Sequence, residues 1–226
     1  MRLARVLPLL LSAALGFSSV AGASTIVTFG NVTPNQFIAT DNGDGTTTLS
    51  TTSNVNITQI FAGALDPNAL MTFTATSTED AQLLLGGTVI SQRYAGTFSI
   101  TDQANTVNYL SGTFGAALEF GGTGATGAVL TANSFPQSPP LVLSSDLFDL
   151  INPESFALAL SNITPPLGVN TYLVGGVSHT TVANFAASYA GSADAQISAV
   201  PEPASLTLLG TGLVYLAGRL RRKVRK

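Results

Sequence analysis

From residue 24 to residue 200 the chain alternates apolar and polar residues over short runs. Met71, Phe73 and Ala75 alternate with Thr72, Thr74 and Thr76, and Phe98 and Ile100 with Ser99 and Thr101. Phe156, Leu158 and Leu160 alternate with Ala157 and Ala159, while Val55, Ile57 and Phe61 read as one face against Asn56, Thr58 and Ile60. Period two puts successive residues on opposite faces of a strand. Threonine suits the outward face, since its β-branch fits the pleat and its hydroxyl meets water. With turn residues between the runs, the pattern predicts strands near 25–29, 36–40, 46–51, 55–61, 70–77, 88–93, 96–101, 108–114, 117–120, 127–132, 141–144, 156–161, 171–174 and 185–198. No window of a dozen residues keeps a 3.6 period with charged caps, and Asp146–Ile151 alone suits a short helical turn. Gly121–Gly127 is too glycine-rich for a strand interior and reads as a loop. The expected fold is all-β, an antiparallel β-sandwich of jelly-roll type. A β-solenoid is the alternative, although no repeat of about 20–50 residues is visible.

The two ends break the alternation. Arg2 and Arg5 precede a mostly apolar stretch, Val6 to Val20, and Ala21-Gly22-Ala23 follows. Charge, apolar run and small residues in that order predict a secretory signal peptide over 1–23, a helix as precursor, with Ala21 and Ala23 at the cleavage positions and Ser24 as the mature start. At the other end Pro201, Glu202 and Pro203 precede an uncharged run, Ala204 to Gly218. Arg219, Arg221, Arg222, Lys223, Arg225 and Lys226 close the chain. From Pro203 to Gly218 a helix would span about 24 Å, against a hydrocarbon core of roughly 30 Å. Snorkelling by Arg219 and local thinning take up the difference, so 204–218 is expected to be a short transmembrane helix. The basic tail 219–226 then stays in the cytoplasm and the body lies outside. The chain divides into 1–23, an exported all-β domain 24–198, and a C-terminal signal 199–226.

Tripeptide, short apolar run and basic end together closely resemble the PEP-CTERM sorting signal of exopolysaccharide-producing Gram-negative bacteria. The stretch Gly96–Ala132, including Asn108–Phe114, is also similar to segments of other PEP-CTERM proteins. The resemblance implies handling by the secretion machinery and by exosortase, a membrane transpeptidase-like enzyme that cuts near the motif. The membrane would be a transient station or an anchor: inner membrane as precursor, cell surface or exterior after processing. In that relation the chain is a substrate, and none of its residues is catalytic on that account.

Charge sharpens the picture. The formal net charge of −3 conceals eleven acids against one base, Arg93, within residues 24–200. Such a body cannot neutralise phosphates, which excludes nucleic acid as a partner. The absence of cysteine excludes disulfides, thiol redox chemistry and cysteine-ligated zinc. Asp41-Asn42-Gly43-Asp44-Gly45-Thr46 departs from an EF-hand loop at positions 3, 5, 6 and 12, and reads as a hairpin turn. Asp41 and Asp44 remain the candidate ligands for a calcium site of another class. His179 is the single histidine, and no G-x-S-x-G elbow accompanies it. Glu79-Asp80 and Asp146/Asp149 are the acids close in sequence, but neither pair sits in a glycosidase motif. With no Trp, the aromatic platforms available to sugars reduce to Tyr94, Tyr109, Tyr172 and Tyr189. The expectation is a non-enzyme without cofactor: a structural or adhesive component of an exopolysaccharide or biofilm matrix, meeting polysaccharide through hydroxyl-rich faces. The second reading is a carbohydrate- or calcium-dependent ligand-binding module.

Overall fold

The computed structural model describes residues 23–61, 65–134 and 140–197. The expected signal peptide up to residue 22, the tripeptide 201–203, the run 204–218 and the basic tail lie outside the described residues. Within them the alternation becomes thirteen strands and no α-helix. They are β1 (Ser24–Asn31), β2 (Phe37–Asp41), β3 (Thr47–Ile60), β4 (Ala69–Ser77), β5 (Gln82–Leu84), β6 (Val89–Thr101) and β7 (Asn108–Gly122). β8 (Gly127–Asn133), β9 (Val142–Ser144), β10 (Leu150–Thr164), β11 (Val169–Val174), β12 (Val177–Val182) and β13 (Phe185–Ile197) complete the set. A 3-10 turn, Leu85–Gly87, joins β5 to β6.

Every described pairing is antiparallel, which excludes a β-solenoid of parallel coils. β1 and β2 lie end to end between the same two neighbours, β13 and β3. β4 and β5 share β6 in the same way, and β8 and β9 share β7. Each of these pairs is one stave interrupted by an excursion; Leu141 N–H, donating to the Asn133 carbonyl, pinches the last of them shut. Counted so, the eleven strands of the larger sheet form eight staves whose neighbours in sequence are their neighbours in space, with β11 and β12 forming a sheet of their own. β13 returns to pair with β1, and the ring is closed. The connectivity is therefore an up-and-down meander, without the crossovers between non-adjacent strands that a jelly roll needs.

Opposite walls of the ring touch, as the two layers of a sandwich do. Phe98 of β6 stacks on Phe156 of β10 across the ring at 4.0 Å between ring centroids, while Phe73 of β4 and Phe114 of β7, on the two staves that flank β6, stack at 5.8 Å. Phe29, Phe37, Met71, Leu110, Leu158 and Tyr189 fill the remaining interior in one contiguous cluster. Eight strands enclose an interior about wide enough for side chains. Inside is apolar and outside is threonine, serine and asparagine, the inverse of a membrane barrel's polarity.

Several expectations change in detail. The predicted strands 46–51 and 55–61 fuse into β3, 88–93 and 96–101 into β6, and 108–114 and 117–120 into β7. In β6 and β7 the break is a bulge, which bends a strand without ending it, whereas β3 pairs with β4 in unbroken register through Thr52, Ser53 and Asn54. The bulge in β3 opposite Thr28 and Phe29 reverses the face of the residues beyond it, so Ile60 is buried and Phe61 is 46% exposed. Asp146–Ile151 forms no helical turn. Asp146 Oδ2 accepts the Asn108 N–H at 2.7 Å, Ser145 Oγ donates to the Tyr109 carbonyl, and β10 has begun by Leu150.

The direction of the staves sorts the loops. Ser24 pairs with Ala195 and Leu150 with Ile197, so the described body starts and finishes at one end of the ring. The β3–β4, β6–β7 and β9–β10 connections share that end. The β2–β3 and β7–β8 turns lie at the other, together with the β11–β12 hairpin, which is inserted between β10 and β13.

Candidate functional site

Alternation and register together build a lattice of hydroxyls on the outer face. Thr52, Thr72, Ser99, Ser111 and Ser144 are successive partners across β3, β4, β6, β7 and β9. The next row, two residues along each strand, runs Ser50, Thr74, Thr97, Thr113 and Val142. Strand geometry spaces such positions about 4.8 Å across the sheet and about 6.8 Å along it. Over Thr72, Thr97, Ser99, Ser111, Thr113 and Ser144 the surface is hollowed into an open groove of about 390 Å³, with Val142 at its side and Phe98 and Gly112 beneath. Gly96 lets β6 pass close to β4 here, since a Cβ on it would collide with the Thr74 carbonyl oxygen. Within the groove only Ser111 Oγ is engaged by another described residue, accepting from Asn108 Nδ2 at 2.9 Å and approaching the Ser144 carbonyl at 3.5 Å. No charged residue occurs in β3, in β4, in 94–101, in 108–118 or in β9.

At the hairpin end, Asp41 and Asp44 organise a turn. Asn42 N–H bonds the Thr46 carbonyl, Gly43 N–H the Asp41 Oδ1, and Thr46 N–H and Oγ the Asp44 Oδ1. Gly43 and Gly45 take φ of 74° and 97°, the left-handed region that the hairpin reading requires. Asp41 also reaches the inserted hairpin, accepting from Tyr172 Oη and from Asn170 Nδ2, each at 2.7 Å. Burial pushes its carboxyl up, but the donors Asn170, Tyr172, Gly43 and Thr181 outweigh that and hold its pKa below the usual carboxylate value. The Thr46 donors, side chain foremost, likewise lower Asp44. These oxygens are taken by N–H and O–H donors, and a cation would have to displace them. Among the described residues no group of three or more His, Asp or Glu side chains is placed to hold a metal.

His179 and Asp80 meet in the same region, Nδ1 to Oδ1 at 2.9 Å, with the imidazole packed where a side chain on Gly45 would be. Glu79 instead pairs with Arg93 at 3.2 Å, both largely exposed, so the pair adds little stability. Tyr94 and Tyr189 are core residues, and Tyr109 and Tyr172 are tied to Asp66 and Asp41. The tyrosines thus form no common platform.

Two buried acids escape sequence reasoning because a Glu in a Gly- and Ala-rich strand carries no local sign of its depth. Glu119 of β7 points inward, its oxygens without a hydrogen-bond partner among the described residues. Burial pushes its pKa up to about 7, and the neighbouring Tyr94 hydroxyl offsets only part of that. That hydroxyl donates to Gln92 Oε1 at 2.9 Å, the same oxygen that accepts the Val182 N–H. Glu154 of β10 accepts the Leu143 N–H at 2.9 Å, and burial raises its pKa too. Glu119 is level with Leu130 and, through it, Leu158, which lies four residues from Glu154. That offset is about 13 Å along the strand, beyond the roughly 5–9.5 Å between the carboxyls of glycosidases.

Beyond Ile197, where β13 ends beside the start of β1, the chain continues into its C-terminal signal. The family described as the PEP-CTERM protein-sorting motif matches residues 199–223. This chain carries a PEP-CTERM sorting motif. The motif takes in Pro201, Glu202 and Pro203, the apolar run, and the first bases of the tail through Lys223. A PEP-CTERM motif implies recognition by exosortase and an exosortase-processed, exported protein. No curated protein and no solved structure matches the chain.

Proposed function

We propose that the chain is a structural, adhesive component of the cell surface or extracellular matrix, sorted by its PEP-CTERM motif and held among polysaccharide by its hydroxyl-rich barrel. The observation that carries this reading is the union of that motif with an outer face of registered, uncharged hydroxyls. Export follows from the motif; the barrel is then the part delivered, with residues 1–23 and the membrane segment 204–218 serving as addresses. Because the motif follows the end where both termini meet, the β11–β12 end faces away from the membrane while the precursor is anchored. Adhesion through a face needs no acid–base pair; Asp41, Asp44 and Asp102 pin turns, Glu79 and Asp80 pair with Arg93 and His179, and Glu119 and Glu154 lie apart in the core.

Fractionation of the native host into cells, matrix and medium, with and without exosortase, tests this reading. The barrel is expected in the matrix fraction of the wild type and in the membrane fraction of the strain lacking exosortase. Recovery from the medium alone, or from the membrane in both strains, contradicts a matrix role.

A further inference from the structure

The groove over β4, β6, β7 and β9 is an open concavity on the outer face of the sheet, and its chemistry narrows what fits it. Some threonine hydroxyls brace the fold: Thr46 bonds Asp44, Thr47 the Val182 carbonyl, Thr106 the Asp102 carboxylate and Thr123 the Gly87 carbonyl. Those of Thr72, Thr97 and Thr113, with Ser99 and Ser144, bond no other described residue, as is true of Thr52 and Thr74 in the same rows, so this face offers a continuous set of hydroxyls to whatever lies on it. An anion would find no cation there, since the sole base of 24–200, Arg93, is paired with Glu79. A metal ion would find no carboxylate. An extended peptide adds to a sheet edge through free backbone groups, whereas β4, β6 and β7 are paired on both sides. What remains is a ligand that is uncharged, both donates and accepts hydrogen bonds, and shows C–H surface between its hydroxyls. Each Thr or Ser hydroxyl donates once and accepts twice, and the threonine methyls with Val142 supply apolar contact between them. The groove volume is at the lower end for a specific ligand site, enough for a short stretch of a longer chain.

We infer that this groove is a binding site for a neutral polysaccharide, which lies across the strands and exchanges hydrogen bonds with Thr72, Thr97, Ser99 and Thr113. The inference rests on the matrix reading above and locates its contact. With no aromatic platform each groove holds its segment weakly, and retention comes from many copies of the protein along one polymer. Acidic polymers are turned away by the excess of carboxylates on the body.

The protein as recovered from the host is run in native gels containing dextran, galactomannan or xyloglucan as neutral probes and alginate as the acidic one. Wild type is expected to be retarded by at least one neutral polymer and not by alginate. T72V/T97V/T113V keeps the β-branched shape and removes three hydroxyls, and is expected to weaken that retardation at least tenfold with an unchanged circular dichroism spectrum. Ser192→Ala, on β13 across the ring, is expected to bind as wild type. Should the triple variant fail to fold, Thr97→Arg fills the groove from a paired strand and is expected to give the same loss. The inference is overturned if no neutral polymer retards the wild type, if alginate alone does, or if the groove variants bind undiminished. A wild type found in the matrix that binds no neutral polymer sinks the groove and spares the matrix role; absence from the matrix sinks the parent reading itself.

Discussion

A carboxyl group inside an apolar barrel with no counter-charge favours its neutral form, and Glu119, whose burial outweighs the nearby Tyr94 hydroxyl, is such a group. Its folded-state pKa of about 7 lies above its ordinary value of 4.5. As the pH rises past that lower value the unfolded chain gives up its proton first, so stability falls until the folded state also ionises near 7. The loss is on the order of 3 kcal/mol, complete above that window and absent below it. Urea unfolding at acid and at mildly alkaline pH is expected to show it, and Glu119→Gln, isosteric and neutral, to remove most of the difference. An equal pH dependence in both proteins would place the carboxyl elsewhere. At this scale the alternation was informative about which side chains are buried: Met71, Phe73, Ala75, Phe98 and Ile100 all face inward as their spacing requires. It said nothing of Glu119, since period assigns a face and a charged residue on the inner face looks locally like an irregularity.

At the scale of elements, the hairpin β11–β12 is held to the ring by side chains more than by ladder pairing. Asp41 makes two of these ties, taking Tyr172 and Asn170 from the hairpin while Tyr172 Oη also accepts the Gly45 N–H, beside the Thr47, Gln92 and Asp80 contacts to β12. Asp41→Ala removes both acceptor oxygens. Amide exchange over 169–182 is then expected to rise by about tenfold, with β4, β6 and β10 unaffected; unchanged protection of the hairpin would show that Asp41 is incidental. The same elements mark the limit of pattern reading. β12 was not foreseen because Val177-Ser178-His179-Thr180-Thr181-Val182 has no apolar alternation, being paired to β11 on an exposed arm. β5 has three exposed residues and exists only as a continuation of β4 along β6. Bulges, conversely, made single strands look like two.

For the whole molecule, the partner of a strand is a longer-range fact than its face. All-β class and antiparallel pairing followed from turn spacing, but the closure of β13 onto β1 joins residues from the two ends of the body and has no local signature. The expected jelly roll and the observed meander share the same alternation and differ only in who lies beside whom. The hydroxyl groove shares that limit: its threonines were visible singly, whereas the rows exist only through the registers of β3, β4, β6, β7 and β9. The C-terminal motif was legible because its information lies in contiguous sequence that exosortase reads, and it fixes the fate of the barrel more than the barrel's own chemistry does. The most direct measurement of that fate is the intact mass of the protein recovered from the host's exterior, compared with the form kept by a strain lacking exosortase. A mass beginning at Ser24 and ending before residue 204, in the exosortase-containing strain alone, is the predicted result. A product that retains residues 204–226 in both strains would contradict the account.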